Sequence, residues 1–249
     1  MVRDEMEQDL WGTLRHMASL GYQGVEGGVL VRDSVAETKE NAARLADLGM
    51  ESVALSCGHG KESELPKVIA DANALGCRYI VDYWADPATR DEVLVLAEQL
   101  ERMALACRAE GLTFLYHNHE HEFQPRFGNR NRECMFDLLV ANTAELRFEL
   151  DVAWCHFGGS DPVGVIRRHG DRIPVLHIKD LSDDNIRGHF CAIGLGKVNC
   201  FGAVEAAAAK GTEWMVVEQD TAGRISLYES AMASILNIRE AGLHPGTAG

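Results

Sequence analysis

Apolar residues Leu10, Leu14, Met17 and Leu20 recur at helical spacing between Glu5 and Leu20, and Gly21 follows where such a helix would stop. A short strand is predicted at Gln23 to Val25. Ser34 is placed to cap a helix running to Leu48, with Gly49 just past its end. The same rhythm then repeats. Strands are predicted at Ser52 to Leu55, Arg78 to Val81, Thr113 to His117, Arg147 to Asp151, Val175 to Ile178 and Met215 to Glu218. Helical stretches follow at Glu62 to Leu75, Pro87 to Ala109, Cys134 to Ala141, Asp161 to His169, Phe201 to Ala209 and Leu227 to Ala241. Strand and helix alternating at this spacing call for parallel strands joined by right-handed crossovers, hence a (β/α)8 barrel or a doubly wound sheet. No G-x-G-x-x-G follows the first strand, so the dinucleotide-binding form of a doubly wound sheet has no support. A barrel is the better reading, with eight helices but seven strands, the one before the first helix being absent. No linker or low-complexity tract interrupts it, and residues 1–249 read as a single domain.

In a barrel, alternate residues of each strand face inward and chemistry gathers at the C-terminal ends. The parity that sends Phe114 and Tyr116 outward sends Leu115, His117 and His119 inward. Likewise Glu149 and Asp151 face inward opposite Phe148 and Leu150, and His177 and Lys179 opposite Leu176 and Ile178. Glu218 and Asp220 face inward opposite Met215 and Val217. Asp151, His177 and Glu218 therefore coincide at three strand ends. Two carboxylates and an imidazole, with a fourth N or O donor nearby, suit Mn²⁺, Co²⁺, Zn²⁺ or Mg²⁺. Such an ion can hold a substrate's oxygens and polarise its carbonyl while a neighbouring base removes the adjacent proton. Lys179 is placed either for a salt bridge or for holding an oxyanion, and Trp154 and Asp180 are expected to shape the pocket wall. Glu26 and His59, at the ends of early strands, are further positions that could line it. The arginines of the Gln124 to Glu133 loop read as a solvated face.

Charge and cysteine usage narrow the partners. The formal net charge is -14, which disfavours nucleic acid, because phosphate binding needs a basic stripe. The seven cysteines form no C-x-x-C pair and are odd in number, as expected of reduced thiols in the cytoplasm. The charged start, MVRDEMEQDL, lacks the apolar core of a signal peptide, and no segment reaches the ~20 apolar residues of a membrane span.

The stretches VRDEMEQDLWGTL, GYQGVE, YHNHEHEF, ELDVAWCHFGGSDP, LHIKD and VVEQD, in this order, resemble the sugar phosphate isomerase/epimerase family, the xylose-isomerase-like TIM barrels. The resemblance covers essentially the whole chain. It implies a divalent metal at the barrel mouth with Asp151, His177 and Glu218 at the ligand positions. Epimerases of that group place a glutamate at the end of the fifth strand, where this chain has His117; Glu122 is the substitute that could swing in, so the fourth ligand lies between Glu122 and His117. His119 is the family-like candidate for substrate binding or proton transfer, together with Lys179 and Glu218, while His117, Trp154 and Asp180 would contact substrate. The expected function is isomerisation or epimerisation of a sugar or keto-sugar by proton abstraction next to a carbonyl. The alternatives are an inosose-dehydratase-like or 3-keto-sugar lyase reaction, a metal-dependent phosphodiesterase, and a non-catalytic binding protein on a gapped barrel. Relatives carry a further strand ahead of VRDEM, so either the start codon has been set too late or the barrel is gapped. Without it, the second and eighth strands would present open edges, an invitation to homo-oligomers.

Overall fold

The computed structural model describes residues 1–58, 61–130 and 132–243; His59 lies outside the described residues. Elements follow in the order α1 (Arg3–Leu20), β1 (Gly24–Val25), α2 (Val35–Ala46), β2 (Glu51–Ser52), β3 (Ala54–Ser56), α3 (Leu65–Leu75), β4 (Tyr79–Asp82), α4 (Arg90–Ala109), β5 (Thr113–His117) and α5 (Met135–Asn142). The chain continues with β6 (Arg147–Asp151), α6 (Val152–Phe157), α7 (Pro162–His169), β7 (Val175–Ile178), β8 (Asp180–Leu181), β9 (Phe190–Cys191), α8 (Cys200–Ala208), β10 (Trp214–Val217) and α9 (Leu227–Glu240). The strands alternate with helices as the α/β barrel class requires, β7 with β10 in one part of the chain and β3, β4, β5 and β6 in the other running parallel. Among the described residues no strand precedes α1. Among the described residues no helix is long and apolar enough to cross a membrane.

The chain divides into two compact units. One holds Gly24–Asp47 and Glu51–Glu149. In it β3, β4, β5 and the first part of β6 run parallel, with Ala54 opposite Tyr79, Tyr79 opposite Thr113 and His117 opposite Glu149. β1 pairs with β2, and Val53 N donating to Val25 O and Gly27 N to Ala54 O carry that ladder on toward β3. Its core is aromatic: Tyr79, Phe114, Tyr116, Phe136 and Phe148 are all fully buried. The other unit holds Met1–Gln23, Leu48–Met50 and the chain from Leu150 on. There β7 and β10 run parallel, with His177 opposite Val216, and β8 and β9 form a small antiparallel hairpin.

Local chemistry moves several helix starts away from the sequence reading. Helix α3 begins at Leu65 rather than Glu62, because Pro66 suits the first turn, where its missing N–H costs nothing. Helix α4 begins at Arg90 rather than Pro87, because Thr89 Oγ accepts from Glu92 N at 3.2 Å while Glu92 reaches back to Ala88 N at 2.8 Å. Helix α1 is broken at Asp9, whose carboxylate accepts from Gly12 N at 2.9 Å and so restarts the helix. The six-residue α6 and the β8–β9 hairpin escape periodicity altogether.

Candidate metal and substrate site

At the end of β6, Asp151 is fully buried and has two tasks. Oδ1 accepts from Trp154 N at 2.9 Å and caps α6, while Oδ2 lies 3.0 Å from Lys179 Nζ. The cap fixes the carboxylate's rotamer, so its second oxygen is held in place. Beyond β10, Glu218 N donates to Ile178 O at 3.0 Å, which extends the β7–β10 register by one step and sets Glu218 beside the end of β7. Glu218 Oε2 lies 3.0 Å from His177 Nδ1 and 2.7 Å from Lys179 Nζ. Asp220 Oδ2 is 3.0 Å from the same ammonium. Ligand-grade atoms of Asp151, His177 and Glu218 all lie within 4.8 Å of one another.

Lys179 is the centre of this cluster. Its side chain is 1% exposed, and burial alone would push its pKa down; Asp151, then Glu218, then Asp220 outweigh that and hold the ammonium above its ordinary range. Its Nζ also sits 5.2 Å from the centroids of both the Trp154 and Phe190 rings, which meet edge to face at 5.3 Å. Trp154 is itself buried, so it supports the lysine from below more than it opens to solvent.

Asp180, expected in the pocket wall, is fully buried and accepts from the backbone N–H groups of Leu181 (2.8 Å), Gly194 (3.0 Å), Gly196 (2.9 Å) and Val198 (3.0 Å). Its carboxylate organises the loop between β9 and α8. Burial pushes this carboxyl upward, and the four N–H groups oppose the rise.

In the other unit the YHNHEHEF stretch is divided between ligand-like chemistry and packing. His117 Nδ1 lies 3.0 Å from Glu149 Oε2, with both side chains buried. Glu122 is fully buried: Tyr116 Oη donates to Oε1 at 2.8 Å, His119 N donates to Oε2 at 2.9 Å, and His121 Nε2 approaches Oε1 at 3.3 Å. Burial raises this carboxyl above its usual range. Phe123 then stacks on Phe136 at 4.7 Å. The His119 ring packs edge-on against Trp84 at 4.8 Å and His117 at 5.2 Å. Two contacts of these residues were not foreseen from the sequence. Asp220 shares the lysine of the metal-ligand candidates, and Glu149 orients His117. Glu149 lies two residues before Asp151 in β6, and Asp220 two residues after Glu218 just past the end of β10, a spacing that alternation makes readable.

The model of the family described as xylose isomerase-like TIM barrel matches residues 14–238. The chain belongs to that family. Among curated proteins, the inosose dehydratase of Geobacillus kaustophilus (strain HTA426) is 26% identical over 197 residues, 69% of this chain. The chain's match spans 62% of that relative's length. Among solved structures, a sugar phosphate isomerase/epimerase from Parabacteroides distasonis ATCC 8503 superimposes with a TM-score of 0.83 at 20% identity, covering 97% of this chain and 92% of the other. The IOLI protein with a binding zinc atom superimposes with a TM-score of 0.70 at 15% identity, covering 94% and 91%. These two structures share the barrel fold of the family.

Proposed function

We propose that this chain is a divalent-metal-dependent enzyme that abstracts a proton next to the carbonyl of a sugar or keto-sugar, giving isomerisation or epimerisation. The observation that carries the reading is that carboxylates from β6 and the end of β10 converge on one positive charge beside an imidazole, Lys179 Nζ lying 3.0 Å from Asp151 and 2.7 Å from Glu218. That donor set suits Mn²⁺, Co²⁺, Zn²⁺ or Mg²⁺. Asp151, His177 and Glu218 would hold the ion. Of the two remaining donors, His117 has the chemistry of a ligand, because a metal-bound imidazole normally gives its other nitrogen to a carboxylate, as His117 Nδ1 does to Glu149. Both oxygens of Glu122 are already engaged.

When bound, the ion would supply Lewis-acid polarisation of the substrate carbonyl. Glu218, the least buried of the three carboxylate and imidazole donors at 28% exposure, is the base that takes the proton from the adjacent carbon. Lys179 balances the negative charge that develops on oxygen, and its fixed position on Trp154 and Phe190 makes this cost little reorganisation. His119, beside Trp84, serves the second proton transfer or the substrate's hydroxyls. Dehydration is the second reading, favoured by the likeness to inosose dehydratase, and it starts with the same proton abstraction. The likeness to a zinc-binding protein of the same fold supports the metal. The seven free cysteines accord with work in the cytoplasm. A small-molecule substrate, with neither nucleic acid nor membrane as partner and with homo-oligomers allowed, completes the proposal.

The test is incubation with a panel of ketoses in D₂O with each of the four ions, read by NMR and mass spectrometry. Deuterium on the carbon next to the carbonyl, lost in Glu218→Gln, is the expected result. No exchange across the panel with any ion would refute the reading.

A further inference from the structure

Resting on that reading, Asp151 and Glu218 each have two claims on them. They would hold the ion, and they are two of the three carboxylates on Lys179, at 3.0 and 2.7 Å from its Nζ. Asp151 has one oxygen to give: Oδ1 is taken by Trp154 N at 2.9 Å, and Oδ2 is the atom that meets the ammonium. In Glu218, Oε2 faces His177 Nδ1 at 3.0 Å as well as Lys179, and as the base this residue gives up its charge when it takes the proton. An ammonium that is 1% exposed cannot turn to water while both partners are engaged elsewhere. It needs an anion with no other task.

Asp220 is that anion. Its Oδ2 lies 3.0 Å from Lys179 Nζ. Among the described residues it is not one of those whose ligand atoms gather within 4.8 Å of one another. The segment that carries it is tied down on both sides. Gln219 is buried and donates from Nε2 to Thr221 O at 2.8 Å, and Thr221 Oγ1 donates to Gly188 O at 2.9 Å. Asp220 is 42% exposed, so it meets the lysine without the desolvation that fully buried Asp151 bears. The α-amino group of Met1 also feels Glu218 and Asp220, but burial, the largest influence on it, lowers its pKa and so weakens its charge. We propose that Asp220 is a positioning residue, which keeps the Lys179 ammonium in place when Asp151 and Glu218 turn to the metal and the proton. Asp220 then supports metal affinity without touching the ion, by giving the displaced lysine a partner.

The experiment is calorimetric titration of Mn²⁺ into chelator-treated parent, Asp220→Asn, Asp220→Glu, Lys179→Met and the double variant Lys179→Met, Asp220→Asn, with Tm measured on the same metal-free samples. Asp220→Asn should weaken Mn²⁺ binding by at least about 10-fold, the scale of one charge-assisted pair. Its metal-free Tm should stay close to the parent's, since Asp151 and Glu218 still hold the lysine there. Asp220→Glu keeps the charge and should restore most of the affinity, a comparison that stands whether or not Lys179→Met folds. In the Lys179→Met background, Asp220→Asn should cost less than about 3-fold, the loss of one exposed charge with no ammonium left to hold. Unchanged affinity in Asp220→Asn overturns the proposal, as does no recovery in Asp220→Glu. Equal losses in the two backgrounds overturn it too, because Asp220 would then act on the ion directly, and so does a metal-free Tm that falls along with the affinity. A parent that takes up no Mn²⁺ removes the metal reading itself, while uptake without the Asp220 effect removes this inference alone.

Discussion

Replacing Lys179 by methionine removes a buried ammonium while keeping a stem of similar length, and the structure sets what this should cost in metal-free protein. At an effective dielectric of ~20, a contact of 3 Å between unit charges is worth about 5 kcal/mol of attraction, most of it offset by desolvation. Three carboxylates share the ammonium, but water can reach two of them after it is gone, Glu218 being 28% and Asp220 42% exposed. Asp151, at 0%, has no such relief. The penalty is therefore that of one uncompensated buried carboxylate, about 3–5 kcal/mol. With about 2–4 °C per kcal/mol for a chain of this size, Tm should fall by roughly 10 °C in chelator-treated protein. Urea unfolding gives the free energy directly. The double variant Lys179→Met, Asp151→Asn should recover most of the loss, because asparagine keeps an oxygen for Trp154 N at the start of α6 and carries no charge. Added Mn²⁺ should stabilise Lys179→Met more than the parent, since the ion no longer competes with an ammonium for the same oxygens. A loss below about 1 kcal/mol, or no recovery in the double variant, would refute the picture of a carboxylate cluster held together by one lysine.

Gly196→Ala should destabilise by about 1–3 kcal/mol, because a Cβ there would overlap Asp180 Oδ1 and the Leu181 carbonyl oxygen in the loop that Asp180 gathers; unfolding indistinguishable from the parent's would show the loop to be slack. Burial pushes the thiols of Cys57, Cys107 and Cys134 up to about 12 and those of Cys77 and Cys191 up to about 11. The native protein should therefore react slowly with a thiol reagent at pH 8, and rapid labelling of these cysteines would contradict the burial. Because the folded state holds these protons to higher pH than the unfolded chain, their contribution to stability is full below about pH 8.5 and is lost as pH rises through 11 to 12. Urea unfolding measured from pH 8 to 11 should show the decline.

The βα rhythm was legible because apolar periodicity is local: β5, β6 and β7 lie where the alternation puts them. What the sequence hid depends on contacts far along the chain. Helix α6 has six residues, too few for a periodic window, and exists because Asp151 caps it. Asp180 follows the LHIK run as a pocket residue would, yet the N–H groups it binds come from Gly194, Gly196 and Val198, brought back by the β8–β9 hairpin. The parity of β7 turns Lys179 inward but says nothing of one ammonium shared by residues of β6 and the segment after β10. In YHNHEHEF, Glu122 counts as a donor on spacing alone. Only the fold shows Tyr116 and the His119 backbone closing on it.

The most direct test of the central claim is elemental analysis by mass spectrometry of the protein purified without chelator and then incubated with Mn²⁺, beside an Asp151→Ala, His177→Ala double variant. The account predicts about one Mn, Co, Zn or Mg per chain in the parent and none in the variant. A metal-free parent, or equal metal in both proteins, would contradict it.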